Sequence, residues 1–141
     1  MPSTANEIVI ARPPEDVFQF LANPENDPQW RSGVLDLKRI SGSGVGARYA
    51  QGVKGPGGKR IAADIEITEL EPGSAIAFQT VTGPVRPHGR YLLTPADGGT
   101  RVRFELEAKL GGLKRLMAPM VQKTMNAEVG HLDHLRQVLE R

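Results

Sequence analysis

At 141 residues the chain is long enough to bury one sizeable core and too short for two ordinary domains, so a single domain spanning 1–141 is expected. Eighteen lysines and arginines against sixteen acidic residues leave a net charge of +2, scattered rather than gathered into a block, which argues against counterion-driven nucleic-acid binding. The absence of cysteine excludes disulfides, thiolate nucleophiles and thiolate metal sites, and an aromatic content of 5% beside sixteen glycines and eleven prolines leaves room for a cavity.

Met1 to Asn6 shows no basic stretch leading into an apolar run, and no segment approaches about eighteen uninterrupted apolar residues. A soluble, cytoplasmic protein without integral membrane association is the expectation. Glu7 to Arg12 alternates isoleucine and valine with polar neighbours and reads as a strand. Pro13-Pro14-Glu15-Asp16 then starts a helix, because proline fixes φ and early carboxylates favour the first turn. Val17, Phe18, Leu21 and Ala22 form its apolar side, Asn23-Pro24 ends it, and a second short helix fits Glu25 to Trp30.

Six further strands are expected at Val34 to Ser41, Ala47 to Lys54, Arg60 to Leu70, Ala75 to Thr82, Val85 to Thr94 and Thr100 to Lys109. The segments between them carry the Gly, Pro or Asp that tight reversals need, and links this short join antiparallel neighbours. In the last strand Val102, Phe104 and Leu106 oppose Arg101, Arg103, Glu105 and Glu107. In the third of the six, Ile61, Ala63, Ile65 and Ile67 oppose Asp64, Glu66 and Thr68. A sheet with one dry face needs a cover.

Leu113 to Leu139 supplies it. Leu113, Leu116, Met117, Met120, Val121, Thr124, Glu128, Leu132, Leu135, Val138 and Leu139 recur on one side at helical spacing, predicting an amphipathic helix of about 40 Å. Pro119 either starts the continuous helix near Ala118 or kinks it, and Gly130 predicts a close approach of sheet or ligand.

This order of strand, two short helices, six strands and a long helix resembles the helix-grip fold of the START-like superfamily, within it the bacterial polyketide cyclase/dehydrase-type branch. The residues that carry the resemblance are Ile8 to Val17 (IVIARPPEDV), Asn23 to Trp30 (NPENDPQW), Ile67 to Gly73 (ITELEPG), Gly98 to Val102 and the final helix. It implies an α+β domain in which a curved antiparallel sheet of about seven strands wraps around the C-terminal helix. It also implies an elongated pocket between the two, which different members use to bind lipids, sterols, hormones or polyketide intermediates and only some use for chemistry. The fold does not by itself choose between these.

The expected function is therefore to bind or carry a small hydrophobic ligand. The alternative is a cyclase/dehydrase acting on a poly-ketone intermediate in the same cavity. Trp30 is either a core anchor or a pocket-rim residue, and Met117, Met120 and Thr124 line the helix side of the pocket. Strand parity directs inward Tyr49, Phe78, Phe104 and either His88, Arg90 and Leu92 or Tyr91 and Leu93. Tyr49, His88, Arg90 and Tyr91 are the candidates for polarising a ketone and moving a proton. Set against this, His88 and Arg90 follow prolines near a strand start, where water would reach them. Glu128, His131 and His134 have metal-like helical spacing, yet the apolar stripe leaves His134 on the wet side, so no metal or other cofactor is expected. The glycine-rich Gly52 to Arg60 stretch matches no phosphate-binding motif. A monomer, or a homodimer through a sheet edge, is expected.

Overall fold

The computed structural model describes residues 2–141. The chain runs through β1 (Ser3–Ile10), α1 (Pro14–Leu21), a 3-10 helix (Pro24–Gln29), β2 (Val34–Ser41), β3 (Arg48–Lys54), β4 (Arg60–Ala62) and β5 (Ile65–Glu71). It continues through β6 (Ala75–Thr80), β7 (His88–Ala96), β8 (Gly99–Glu107), a 3-10 helix (Gly112–Met117), α2 (Ala118–Gly130) and α3 (Leu132–Leu139), with a further 3-10 turn at Pro56–Gly58 between β3 and β4. The strands form one antiparallel sheet in the order β1-β8-β7-β6-β5-β3-β2, with β4 attached to β3 alone. This is the α+β helix-grip architecture the sequence predicts.

Local chemistry explains the elements. Pro14 occupies the first turn of α1, Glu15 and Asp16 lie at its positive end, and Val17 and Leu21 are buried one turn apart. The Asn23 side chain accepts a hydrogen bond from the Glu25 amide and caps the following 3-10 helix. At the β7–β8 reversal Gly98 has φ 75°, and a Cβ on Gly99 would sit 1.9 Å from the Ile10 carbonyl oxygen, so this turn accepts only glycine. Beside it the buried Thr100 hydroxyl donates to the Arg12 carbonyl at 2.7 Å and ties β8 to the end of β1.

The alternation along β8 holds: Val102, Phe104 and Leu106 are buried. The opposite face carries ion pairs among Glu7, Arg101, Arg103 and Glu105, and between Arg48 and Glu66. The helices cover the β1–β8 side of the inner face, where the Asn6 amide donates to the Val129 carbonyl at 3.1 Å. Leu132 and Leu135 are completely buried and fasten α3.

Three expectations are corrected. The stretch expected as one strand from Arg60 to Leu70 is two, β4 and β5, giving eight strands. Gly52 of β3 pairs with Ala62, Tyr49 pairs with Ile65, and the intervening Asp64 amide donates to the Thr82 hydroxyl instead of a ladder carbonyl. The terminal helix is not continuous: it begins as a 3-10 turn, becomes α-helical at Ala118 with Pro119 in the first turn, and breaks at His131. Because the 3-10 turn has a different residue period, Leu113 and Leu116 leave the inward stripe and are 87% and 83% exposed. Finally, a Cβ at Gly130 would meet nothing within 4 Å, so this glycine marks the end of α2 and not a close approach.

Candidate functional site

Register settles the parity of β7. Tyr91 lies opposite Phe104 and Leu93 opposite Val102, all buried, while His88 and Arg90 lie opposite Glu107 and Glu105 on the outer face. Of the four residues expected to move protons, His88 and Arg90 are thus placed away from the interior. Both are exposed, and the Arg90 guanidinium is satisfied by Glu69 at 3.0 Å. They border an open, charged depression of about 540 Å³ on that outer face, shared with Arg103 and Glu105.

The other aromatic candidates converge. Tyr91 stacks on Phe104 with centroids 4.6 Å apart, Trp30 meets both edge-on at 6.2 and 6.0 Å, and Phe78 lies 6.1 Å from Tyr91. Tyr49 is buried on the same face of β3 as Gln51, two residues on, and burial is the main cause raising its phenol pKa. Trp30 is 1% exposed, a core anchor and not a rim residue. The helix-side candidates lie elsewhere: Met117 is half-buried, Met120 is 55% exposed, and the exposed Thr124 donates its hydroxyl to the Met120 carbonyl. The inner face of α2 is instead Val121, Met125 and Val129.

Against this aromatic cluster stands a buried polar group that the sequence reading missed. Arg31, at the end of the first 3-10 helix, donates to Asp27 at 2.9 Å, to Glu128 of α2 at 3.0 Å and to the Gln51 side chain of β3 at 3.3 Å. Its guanidinium carbon sits 6.0 Å from the Phe78 ring centroid. Two signals in the sequence pointed here. Asp27 and Arg31 are four apart around the only tryptophan, and Glu128 is the one acid inside the apolar stripe of α2, which demands an inward cation.

The stoichiometry sets the electrostatics. One cation faces two carboxylates, so removal from water dominates at Asp27 and pushes its pKa up to about 6 despite the opposing pull of Arg31. At Arg31 burial acts to weaken the charge, but Glu128 and Asp27 together more than offset it and hold the guanidinium charged. Burial, reinforced by the Asp27 charge, drives the Tyr91 phenol well above its ordinary value, so it remains a neutral donor. The Tyr91 hydroxyl is buried without a hydrogen-bond partner; the Trp30 indole nitrogen and Oδ1 of Asp27 are buried without a bond of ordinary geometry, but the indole N–H lies near enough to the Asp27 carboxyl to act as a donor that opposes the rise in its pKa.

The histidines do not assemble a metal centre with Glu128. His131 Nε2 lies 3.1 Å from the Ser32 hydroxyl, His134 Nδ1 lies 3.3 Å from the Trp30 carbonyl, and the two rings stack at 5.4 Å. Among the described residues no group of three or more histidine and acidic side chains converges to hold a metal ion. Among them, too, no helix is long and apolar enough to cross a membrane.

The family model described as polyketide cyclase / dehydrase and lipid transport matches residues 1–140. A Mycobacterium tuberculosis protein described as uncharacterized is 29% identical over 114 residues, covering 78% of this chain and 67% of that protein. A crystal structure from Thermus thermophilus superposes with a TM-score of 0.80 at 24% identity, covering 96% of this chain and 95% of that one. A START superfamily protein from Mycobacterium smegmatis gives 0.77 at 18% identity, covering 98% and 97%. The di-domain ARO/CYC BexL gives 0.72 at 19% identity, covering 95% of this chain and 46% of that one. At these identities the structural likenesses speak for the fold alone.

Proposed function

Because the chain belongs to the polyketide cyclase/dehydrase and lipid transport family, we propose that its interior receives a small hydrophobic molecule whose polar end accepts hydrogen bonds. The observation that carries this reading is a buried donor without an acceptor, the Tyr91 hydroxyl, set among stacked rings. A buried donor left unpaired costs about 1–3 kcal/mol, and a ligand carbonyl or hydroxyl oxygen would recover much of that. The rings supply the apolar contact. The excess negative charge of Asp27 and Glu128 over Arg31 disfavours a carboxylate at this end and favours a neutral ketone, ester or alcohol. Since the rings already touch, binding separates them.

Trp30 is the only tryptophan, so its fluorescence reports occupancy directly. Titration with neutral aromatic ketones and lipids should give saturable changes, with native mass spectrometry confirming one bound molecule. A panel of both classes producing no saturable change would remove the proposal. A cyclase/dehydrase role is the second reading, favoured by the buried carboxyl of Asp27: with a pKa of about 6 it is ionised at neutrality yet a stronger base than an ordinary carboxylate, and it stands near a neutral phenol able to polarise a ketone. Asp27→Asn would then abolish product formation from a poly-ketone while leaving ligand binding in place.

A further inference from the structure

The segment leading into α2 is built differently from the rest of the surface. Leu113 and Leu116 in the 3-10 turn and Met120 in the first turn of α2 are 87%, 83% and 55% exposed, with Leu110 and Met117 half-buried beside them. Single exposed apolar residues are ordinary, but a run of this kind on one short segment is not. Lys109, Lys114, Arg115 and Lys123 are interspersed with them and exposed, and no acidic residue occurs between Glu107 and Glu128. Lys114 also donates to the Pro84 carbonyl at 2.8 Å, which brings the segment against the 81–87 loop, where Arg86 is exposed and acids are again absent. Large apolar side chains thus stand among five cations without a counter-charge in either segment.

We infer that this face docks on the surface of an anionic lipid bilayer, with Leu113, Leu116 and Met120 inserted at the headgroup boundary and the cations against the lipid phosphates and carboxylates. Charge complementarity selects the occupant. A second copy of the chain would bring five cations against five with no acid between them, and a polyanion such as nucleic acid would meet the cations while leaving the leucines in water. An anionic membrane satisfies both sets at once. The docked segment borders a cleft of about 310 Å³ between Pro2, Leu110, Arg115 and Ala118, so the membrane would face that cleft. The docking itself stands whether or not the interior binds a ligand.

Cosedimentation of the full chain with phosphatidylcholine vesicles, with and without phosphatidylserine, tests this. Binding is expected only with phosphatidylserine and should fall steeply as salt is raised. Lys114→Glu and Arg115→Glu should each weaken it about fivefold or more, as expected for a basic residue at an anionic surface. The double variant Leu113→Asp/Leu116→Asp should abolish it with the melting temperature unchanged, because both side chains are already in water. No binding to anionic vesicles overturns the inference. So does retention of full binding by the leucine variant, which would reveal a nonspecific polyanion site. So does light scattering that shows a dimer dissolved by that same variant, which would assign the face to a second copy.

Discussion

Arg31 and Glu128, 97 positions apart, meet at 3.0 Å inside the molecule and join the connection before β2 to the middle of the covering helix. Asp27 takes another edge of the same guanidinium, so one cation serves two acids and the three members are not equivalent. Arg31→Met should cost on the order of 3–5 kcal/mol, because it leaves two buried carboxylates without a cation. Glu128→Gln should cost about 1 kcal/mol or less, since one acid still balances one guanidinium and the amide oxygen still accepts. Urea unfolding at neutral pH measures both, and equal losses would contradict this division of charge.

Asp27 makes stability depend on pH in a stated direction. Its pKa is raised from 3.8 to about 6 in the folded chain, so between those values the native state holds more protons than the unfolded state. Stability from this group is therefore complete below about pH 4 and declines as pH rises through 6, by an amount on the order of 3 kcal/mol. The difference in unfolding free energy between the protein and its Asp27→Asn variant, followed across that window, should show this decline. A flat difference would place the carboxyl in a less buried state.

Tyr91→Phe should separate folding from binding. The hydroxyl is buried and has no partner, so its removal should leave stability unchanged or raise it by about 1 kcal/mol. Affinity for an acceptor-bearing ligand should fall roughly tenfold by the same reasoning. Thermal unfolding and Trp30 fluorescence titration read the two effects, and a large loss of stability would mean that the hydroxyl is engaged in the free protein.

Along the covering helix, position decides cost. Leu135→Ala removes a completely buried side chain and should cost about 2–5 kcal/mol, whereas Met120→Ala, at a largely solvated site, should stay within about 0.5 kcal/mol. Gly130→Ala should stabilise by about 0.4–1 kcal/mol, because the position has open space around it and no positive φ. Chemical denaturation of the three variants would check the order.

Period and punctuation explain what was legible in advance. The period-two patterns of β1 and β8, the turn residues between strands and the proline-started α1 depend on neighbours in sequence, and they suffice for the order of elements. The break at Asp64 depends on a hydroxyl from Thr82, and the outward turn of Leu113 and Leu116 on a 3-10 geometry whose period a helical reading does not contain. The inner face of β7 was ambiguous because both of its parities carry chemistry-bearing side chains, and only pairing with β8 decides between Tyr91 and His88. The polar cluster was invisible as a unit because its members come from distant parts of the chain and meet only when the helix closes on the sheet.

The pairing of β1 with β8 also governs how this chain comes to be folded. Ile8 finds its ladder partner in Val102, so β1 lacks that partner until the other strands of the sheet have been synthesised. Closing that long loop comes late and slowly. Until Gly99–Glu107 has left the ribosome, the Ser3–Ile10 strand is an open edge available to other chains, and the vulnerable interval for aggregation spans the synthesis of every strand between the two.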